Sequence, residues 1–409
     1  MLRTIIADSK AAVKLLLQRS KKRKSGPIRV GFMCQYIPAW NKAEPIYAAM
    51  KEDARFTPFL LCIPSGISAN KLLDPESVEN DTYAYYVQQG YDAVNMLTGK
   101  NEWLPIETLD LDFVIYLRPY NDVMPIPYLS GVVSRYAKIC VIMYGICIMK
   151  EDMDIMMRPD FFRDVYCFLA DSAYAASVGK RNYPLTHALG LQKSVYHGIP
   201  AMLQIMQDKG KPTAAWDFSE NSFRIMWTPR WTTDLKLGGS NFFVYKDWLL
   251  SYVQEKEDAA CLLRPHPMAF DNFIKTGEMT ESEVAAYKAY CEALPNVQID
   301  ERKEYVSTMW ASSVLVTDYS GIVPEYFVMD KPLIFCTSNM ILQPTEFTRR
   351  MLQGCYLADN EEELERHLEN LRAGNDYLRE TRKEIIQELF GETLYTSVRD
   401  ILDELAGSV

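Results

Sequence analysis

Residues 314–325 combine the residue types that bind phosphate where a strand passes into a helix. A short apolar strand is predicted to end in a turn that contains Asp318, Ser320 and Gly321, and a helix is predicted to follow. The first turn of a helix presents unpaired N–H groups and the positive end of its dipole. Ser320 adds a hydroxyl, and Gly321 lets a ligand approach the backbone closely. We therefore predict a phosphate cradle here; the alternative is an ordinary N-cap, in which Asp318 or Ser320 satisfies the N–H groups.

Two other predicted strands end in residues suited to the same chemistry. Residues 262–267 contain Arg264 and His266, and His266 is fixed between two prolines at the strand end. A histidine there can transfer protons or stabilise phosphate charge, and an arginine can pair with phosphate. Residues 225–233 contain Arg230, a further candidate phosphate ligand, between two tryptophans that could stack on a base. The alternatives are a structural turn with a satisfied histidine, and core packing for at least one tryptophan.

Apolar runs that alternate with helical segments must position these residues. Strands are predicted at 28–35, 57–63, 111–117, 139–143, 166–170, 223–227, 260–264, 297–299, 314–317 and 332–336. Helical patterns are predicted at 41–55, 78–97, 240–256, 281–293, 303–311 and 322–328, and two or three closing helices after residue 361. The alternation is typical of an α/β protein with two Rossmann-like doubly wound domains and a cleft between them. The predicted parts are an N-terminal helix at 1–26, a first domain at 27–205, a linker at 206–222 and a second domain at 223–409.

The composition describes a globular chain and excludes several classes of protein. Of 409 residues, 48% are hydrophobic and 24% are charged, and the formal net charge is −10. This acidic balance argues against nucleic acid as the main partner. The longest apolar stretch, residues 139–149, is too short to span a bilayer as a helix, and no signal peptide is visible. Nine cysteines without a zinc-like spacing predict reduced core residues of a cytoplasmic protein.

The charge is uneven along the chain. Residues 1–24 contain eight basic side chains and one acidic one, Asp8, so the rest of the chain is strongly acidic. Apolar residues recur in this segment at helical spacing, which predicts a basic amphipathic helix on an anionic membrane surface. The alternative is a solvated helix that packs on the first domain. The sequence thus predicts a cytoplasmic protein that is peripheral on the inner face of the cell membrane.

The strand-end segments occur in an order that resembles the CDP-glycerol glycerophosphotransferase family of teichoic-acid and capsule biosynthesis. That family has a strand with a Trp-Thr-Pro-like turn, an Arg-x-His-Pro element, a Thr-Asp-Tyr-Ser-Ser element, an acidic residue and a Lys-Pro-hydrophobic-Phe strand. The matching stretches here are Trp227–Trp231, Arg264–Pro267, Thr317–Gly321, Glu325 and Lys331–Phe335. The resemblance covers about residues 223–336, whereas the N-terminal half matches only in its alternation of strands and helices.

The resemblance implies a fold like that of GT-B glycosyltransferases, with the donor in the second domain and the acceptor on the side of the first. It implies transfer of glycerol phosphate or ribitol phosphate from CDP-glycerol or CDP-ribitol to a lipid-linked or glycan acceptor, with release of CMP. His266 is then expected close to the transferred phosphate, and Glu325 close to the ribose. The residues implied to bind the donor are Thr228, Arg230, Arg264, Thr317, Asp318, Ser320, Gly321 and Glu325. No cofactor besides the donor is expected, and no residue spacing predicts a metal site.

Three departures from the family pattern concern the chemistry. The family usually has a second serine where this chain has Gly321, and an aspartate where it has Glu325. It also has a Trp-His-Gly element whose histidine is proposed as the base. Residues 143–145 correspond to that element, and Tyr144 stands in place of the histidine.

The base is therefore left open. Glu44, which follows the first strand, is a candidate, with an exposed helix carboxylate as the alternative. His197 is another, with a hinge or packing role between domains as the alternative. Tyr144 is expected to line the acceptor cleft. Two other functions also remain open: a GT-B glycosyltransferase that uses another nucleotide sugar, and a non-catalytic GT-B-like binding subunit.

Overall fold

The chain forms two compact units. The computed structural model describes residues 2–19, 25–66, 79–143, 145–213, 216, 218, 222–302 and 304–409, and in its first helix the side chains of residues 8–16. Unit 1 comprises Met1–Cys147, Asp152–Leu203 and Glu392–Val409. Unit 2 comprises Ile148–Glu151 and Gln204–Gly391.

Unit 1 is built on a parallel sheet. Its strands are β1 (Ile28–Cys34), β2 (Phe56–Cys62), β3 (Ala93–Asn95), β4 (Leu97–Gly99), β5 (Glu102–Trp103), β6 (Phe113–Tyr116), β7 (Lys138–Ile142), β8 (Val165–Leu169) and β9 (Lys193–Val195). Within the described residues the sheet has seven strands in the order β3-β2-β1-β6-β7-β8-β9, and β4 and β5 form a separate hairpin. Strands β6 and β8 are buried along their whole length, which explains why they read as continuous apolar runs.

Unit 2 repeats this architecture. Its strands are β10 (Phe223–Thr228), β11 (Ala259–Leu263), β12 (Val297–Ile299), β13 (Val314–Thr317), β14 (Leu333–Cys336) and β15 (Tyr356–Ala358). In the described part of the unit they form a six-stranded parallel sheet in the order β12-β11-β10-β13-β14-β15. In both units the order runs outward in two directions from the first strand, as in doubly wound folds.

Helices connect the strands. The first helices are α1 (Leu2–Arg19), α2 (Glu44–Glu52), α3 (Asp81–Gln88), α4 (Ser130–Val133), α5 (Lys150–Met156), α6 (Pro159–Phe162), α7 (Ala173–Asn182), α8 (Pro184–Ala188) and α9 (Pro200–Gln207). They are followed by α10 (Phe242–Gln254), α11 (Ala269–Thr276), α12 (Glu281–Ala293), α13 (Val306–Ala311), α14 (Ile322–Phe327), α15 (Glu346–Leu352), α16 (Glu361–Arg372), α17 (Arg379–Leu389) and α18 (Thr393–Ala406). Short 3-10 helices lie at Ile37–Lys42, Ile106–Leu109, Asn121–Val123, Ile126–Tyr128 and Leu235–Leu237.

The prediction of an α/β protein with two doubly wound parallel sheets is confirmed. The predicted strands begin and end within about two residues of the observed ones. The stretch 78–97, predicted as helical, instead contains the short α3 and then β3. The sequence also does not predict β9 and β15, since three residues carry little periodic signal, although β12 has the same length and is predicted correctly at 297–299.

The C-terminal helix α18 belongs to unit 1, although the predicted second domain runs from 223 to 409. Its apolar face explains the difference, since Ile401, Leu402 and Leu405 are buried in the core that surrounds β1.

The segment Ile148–Glu151 belongs to unit 2, although it falls inside the predicted domain 27–205. Backbone hydrogen bonds hold it there. The Thr345 N–H donates to the Ile148 carbonyl over 3.0 Å, and the Lys150 N–H donates to the Gln343 carbonyl over 2.8 Å.

Helix α1 packs along one face on the rest of unit 1. Asp8 is buried and accepts hydrogen bonds from two backbone N–H groups of α8, at 2.7 and 3.1 Å. Lys14 forms an ion pair with the buried Asp164 over 2.5 Å. Val13 and Leu16 are exposed on this helix. The alternative of a packed helix is thus present in the structure, together with an apolar surface that faces solvent.

The rest of the predicted membrane-binding segment, residues 1 and 20–24, lies outside the described residues. Within the residues that are described, no helix combines the length and the hydropathy needed to cross a bilayer.

Candidate functional site

The carboxyl ends of β10 and β13 are neighbours at the point where the strand order of unit 2 reverses. Thr228 and Thr317, the last residues of these strands, are register partners. Both are buried, and the Thr228 hydroxyl donates to the Thr317 hydroxyl over 2.8 Å. Open α/β sheets bind ligands in the crevice outside such a switch point. Two of the predicted donor-binding segments therefore meet where this fold binds ligands, while the two threonine hydroxyls bond to each other.

Asp318 ties three segments together. Its buried carboxylate accepts hydrogen bonds from the N–H of Arg230, at 2.7 Å, and from the N–H of Asn241, at 2.9 Å. Burial raises the pKa of Asp318 to about 7, although the two N–H donors favour the charged form. The carboxylate thus holds the loop after β10 and the start of α10 against the end of β13. Its assignment as a donor ligand stays a prediction.

The Arg230 side chain stacks on Tyr319. The guanidinium lies 3.9 Å from the centre of the ring, and its Nη1 donates to the Tyr319 carbonyl over 3.2 Å. Its Nε donates to the carbonyl of Leu237 over 2.6 Å. Gly238 follows with φ of +111°, and a Cβ there would lie 2.0 Å from Cδ1 of Tyr319. We call the group formed by Arg230, Tyr319 and the turn at Gly238 the Arg230 clamp.

The predicted phosphate cradle lies at the start of α14. Its N-cap is Gly321, which has no side chain to satisfy the first N–H groups. The hydroxyl of Ser320 lies 3.5 Å from the N–H of Ile322, at the limit of a hydrogen bond. A Cβ built on Gly321 meets no atom within 4 Å. No side-chain cap of the kind in the capping alternative is therefore formed at this helix start, and the position of a Cβ on Gly321 is open.

His266 follows β11, which neighbours β10 in the sheet. Its Nδ1 accepts a hydrogen bond from the Met268 N–H over 3.2 Å, which places the proton of the neutral ring on Nε2. Partial removal of water and the nearby Arg230 guanidinium lower the pKa of His266. The exposed ring is thus neutral near pH 7 and presents an Nε2–H donor, suited to a phosphate oxygen.

Arg264 is held by the protein itself. Its Nη1 donates to Asp300 over 2.5 Å, and its Nη2 donates to the carbonyl of Arg302. Asp300 is buried and also pairs with the Arg302 side chain over 2.7 Å. These bonds join the loop after β11 to the loop after β12, and the role of Arg264 as a donor ligand stays a prediction. Asp300 directly follows β12. Sequence analysis missed Asp300, although its position just after a strand is the same signal that identified Arg264.

Glu325 is buried on α14 and is joined through Tyr305 to the loop after β12. The Tyr305 hydroxyl donates to Oε2 of Glu325 over 2.6 Å. The guanidinium of Arg264 lies 5.4 Å from the centre of the Tyr305 ring. Tyr305 thus connects two residues implied to bind the donor. The sequence offers no signal for it, because it belongs to none of the motifs.

Lys331 closes α13. Its ammonium group donates to the carbonyls of Met309 and Trp310, each over 2.7 Å, and to the carbonyl of Ser312. These groups lie at the end of the helix, where carbonyls lack partners within the helix. The lysine of the Lys-Pro motif therefore fixes the junction between α13 and β13.

The candidates for the base lie in unit 1. Glu44 begins α2 and is half-buried, and burial raises its pKa. Nε2 of His197 lies 3.4 Å from Oε2 of Glu404 on α18. Tyr144 lies outside the described residues. Among the residues described, no three His, Cys, Asp or Glu side chains are grouped so that they could hold a metal ion.

Solved structures share the fold of this chain. The S. aureus MnaA–UDP co-structure matches with a TM-score of 0.60 at 13% identity, over 92% of this chain and 97% of that one. The UDP-GlcNAc 2-epimerase from Neisseria meningitidis bound to UDP-GlcNAc matches with a TM-score of 0.58 at 12% identity, over 93% and 99%. The wall teichoic acid polymerase TagF matches with a TM-score of 0.51 at 12% identity, over 100% and 98%. No curated protein matches the sequence.

A family model gives the more specific result. The model for CDP-glycerol:poly(glycerophosphate) glycerophosphotransferases matches residues 164–389, more than half of the chain. The matched range contains the three strand-end segments and extends beyond the resemblance that the motifs carry. The chain is thus an enzyme of the CDP-glycerol:poly(glycerophosphate) glycerophosphotransferase family.

Proposed function

We propose that the protein transfers glycerol phosphate or ribitol phosphate from a CDP-linked donor to a hydroxyl of a lipid-linked or glycan acceptor, and releases CMP. The product is a cell-surface polymer, a teichoic acid or a capsule. The family supports a CDP-glycerol donor. The observation that carries the proposal is the carboxyl edge of the unit 2 sheet. There the open helix start at Gly321 and the Nε2–H of His266 follow strands on either side of β10.

In the proposed reaction the acceptor oxygen attacks the phosphorus that bears the polyol. The bond between this phosphorus and the oxygen of CMP breaks, CMP leaves with the electron pair, and the acceptor proton passes to a base. The N–H groups at the start of α14 and the His266 donor stabilise the negative charge of the two phosphates. Positioning and charge stabilisation supply most of the rate enhancement in phosphoryl transfer. No cofactor besides the donor is proposed.

We also propose that the protein works as a peripheral protein at the inner face of the cell membrane, where a lipid-linked acceptor would be available. The exposed Val13 and Leu16 of α1 and the excess of basic residues in 1–24 support this.

The direct test is CMP release. Purified protein is incubated with CDP-glycerol or CDP-ribitol, with and without a lipid-linked or glycan acceptor, and nucleotides are separated by chromatography. We expect acceptor-dependent CMP from at least one donor. Absence of CMP with both donors and a full set of acceptors would contradict the proposal.

A thermal-shift panel separates the alternatives. A ligand at about one hundred times its dissociation constant stabilises a protein by about 2.7 kcal/mol. We expect CDP and CMP to raise the melting temperature more than UDP or GDP. Stabilisation by UDP alone would favour a glycosyltransferase that uses another nucleotide sugar, and tight CDP binding without turnover would favour a non-catalytic subunit.

A further inference from the structure

The switch point of the unit 1 sheet carries a stacked pair of an arginine and a tyrosine. In the strand order β3-β2-β1-β6-β7-β8-β9, the direction reverses between β1 and β6. Tyr36 lies two residues after the end of β1, and Arg118 lies two residues after the end of β6. The central carbon of the Arg118 guanidinium lies 5.1 Å from the centre of the Tyr36 ring. The pair thus lies at the edge where doubly wound sheets bind ligands.

Unit 2 has the same pair at the equivalent positions, with the two residue types exchanged. Arg230 and Tyr319 lie two residues after the ends of β10 and β13. The guanidinium of Arg230 donates to two backbone carbonyls of its own unit. Among the described residues, the guanidinium of Arg118 has neither a hydrogen-bond acceptor nor a carboxylate partner. Arg230 therefore holds its own loops together, whereas the donors of Arg118 are available to a ligand.

The loops that carry the pair are held in place. Nε2 of Gln35 donates to the Val123 carbonyl over 2.6 Å, which joins the loop after β1 to the loop after β6. The Tyr120 N–H donates to the Arg118 carbonyl over 2.9 Å, and the proline between them has a fixed φ. Arg118 is half-buried, and its stacking on an aromatic ring limits the freedom of the guanidinium. The donors of Arg118 are therefore ordered before a ligand arrives.

The local charge favours an anion. Residues 35–43, after β1, contain Lys42 and no acidic residue. Residues 117–129, after β6, contain one acidic residue, Asp122, which forms an ion pair with Arg158 over 3.0 Å. These loops thus supply no carboxylate that neutralises Arg118. A planar guanidinium presents a fork of N–H donors that binds a phosphate group through paired hydrogen bonds.

We infer that Arg118, on its Tyr36 platform, binds a phosphate group of the acceptor. The inference deepens the proposed function and rests on it. The reaction needs two substrates, the donor phosphates are proposed to bind at the carboxyl edge of unit 2, and unit 1 has a ligand-binding edge of its own. A suitable phosphate is present in an acceptor that is linked to its lipid through phosphate, and in one that already carries polyol phosphate.

A titration tests binding without turnover. Glycerophosphoglycerol, a phosphodiester of two glycerols, is titrated calorimetrically into the full-length protein with excess CDP, which occupies the donor site. We expect Arg118→Gln to weaken binding by about 10-fold to 100-fold, the contribution of a hydrogen bond to a charged group. Arg118→Lys should weaken it less, because the charge remains although the fork is lost.

Arg181→Gln is the matched control for this titration. Arg181 also stacks on a tyrosine of unit 1, at 5.8 Å from the centre of the Tyr174 ring. It lies in the last turn of α7, which begins just after the carboxyl end of β8, so it lies away from that edge. The substitution removes the same charge, and the variant should bind the diester as the wild type does.

Steady-state kinetics connect the site to the acceptor. Arg118→Gln should raise KM for a phosphate-bearing acceptor by about 10-fold to 100-fold, while kcat, KM for the CDP donor and the melting temperature stay close to the wild-type values. Tyr36→Phe should keep the wild-type KM because its ring remains. Tyr36→Leu should raise KM by about twofold to fivefold, the contribution of an exposed cation–π contact.

A comparison of acceptors identifies the phosphate. An effect of Arg118→Gln that is confined to acceptors carrying polyol phosphate assigns the site to the diesters of the growing chain. An effect that is also present with a lipid-linked acceptor lacking polyol phosphate assigns it to the lipid linkage.

The inference is overturned if Arg118→Gln leaves either the binding of the diester or the acceptor KM unchanged in an active protein. It is also overturned if Arg181→Gln weakens binding equally, or if the wild type does not bind the diester. A wild type that binds the diester through Arg118 but releases no CMP with any donor would instead overturn the proposed function. The phosphate site would then stand without its role for the acceptor.

Discussion

His266 has a hydrogen-bond arrangement that defines one chemical role. With Nδ1 accepting from Met268, the ring can donate from Nε2 but cannot accept there in the same tautomer. We expect His266→Ala to lower kcat for CMP release by about 10²-fold to 10³-fold, the loss typical of one charge-stabilising donor. His266→Gln should retain more activity, because its amide nitrogen can take the place of Nε2.

The donor role of His266 is checked by measuring steady-state CMP release and the CDP-induced thermal shift of both variants. The pKa of His266 lies below its ordinary value, so the neutral donor predominates above about pH 6.5. The part of the rate that depends on His266 should therefore be constant between about pH 7 and about pH 8. Equal losses in the Gln and Ala variants would contradict the donor role.

Ligands of doubly wound sheets bind at the carboxyl ends of strands, and this expectation identifies the residues of the candidate site but not their partners. The sequence predicts Arg230, Arg264 and His266 because each lies just after an apolar run. It does not reveal that Arg264 is bonded to Asp300, 36 residues away, or that Arg230 stacks on Tyr319, because such pairs arise only when the strands align. Their guanidinium groups thus hold loops in place, which spacing alone does not predict.

At the level of elements, the turn at Gly238 is the part of the Arg230 clamp that has no room for a side chain. We expect Gly238→Ala to lower the free energy of unfolding by about 2 kcal/mol or more, since a positive φ and a clash both penalise the new Cβ. The clash is with the ring of Tyr319, which precedes the helix start. The CDP-induced thermal shift should therefore shrink as well.

Gly321→Ser is the matched control. Its backbone has φ of −63° and ψ of −16°, and the Cβ position is open, so the change in unfolding free energy should stay within about 0.5 kcal/mol. The new hydroxyl restores the second serine of the family pattern and should maintain or increase the CDP shift. Denaturant unfolding and thermal shifts measure both effects. A Gly238→Ala protein with an undiminished CDP shift would show that the clamp does not position the cradle.

Elements with a continuous apolar run or a capping signal are the ones that the sequence predicts best, for a physical reason. A buried parallel strand such as β8 reads as a continuous apolar run, and α12 begins with a capping box formed by Thr280 and Glu283. Strands β3, β9 and β15 each have three residues, and backbone pairing with a neighbouring strand defines them. Pairing with a distant strand leaves no periodic pattern in the sequence.

At the scale of the whole molecule, chain order and compact units do not coincide. The sequence predicts α18 as a helix but assigns it to the second domain, because it follows α17 directly. Its apolar face instead completes the core of unit 1. A helix pattern shows that one face must be buried, but it does not show against which sheet.

The uneven charge also acts at this scale. The excess of basic residues in 1–24 stands against the strongly acidic remainder of the chain, so the net charge of −10 hides a local attraction to anionic surfaces. Each Lys or Arg near an anionic membrane contributes about 1 kcal/mol. We therefore expect the full-length protein to co-sediment with vesicles that contain an anionic phospholipid, and to dissociate as the salt concentration rises.

Changing residues 21–24, which are Lys, Lys, Arg and Lys, to glutamine tests this without removing the packed part of α1. Four charges at about 1 kcal/mol each predict a loss of affinity of up to about a thousandfold. The matched control changes four exposed cations elsewhere to glutamine: Lys211, Arg366, Arg379 and Arg399. This control lowers the net charge equally, so it should bind vesicles almost as the wild type does if the local cluster is responsible. Equal losses in the two variants would mean that overall charge governs binding, and binding to neutral vesicles at high salt would mean that the apolar surface of α1 suffices.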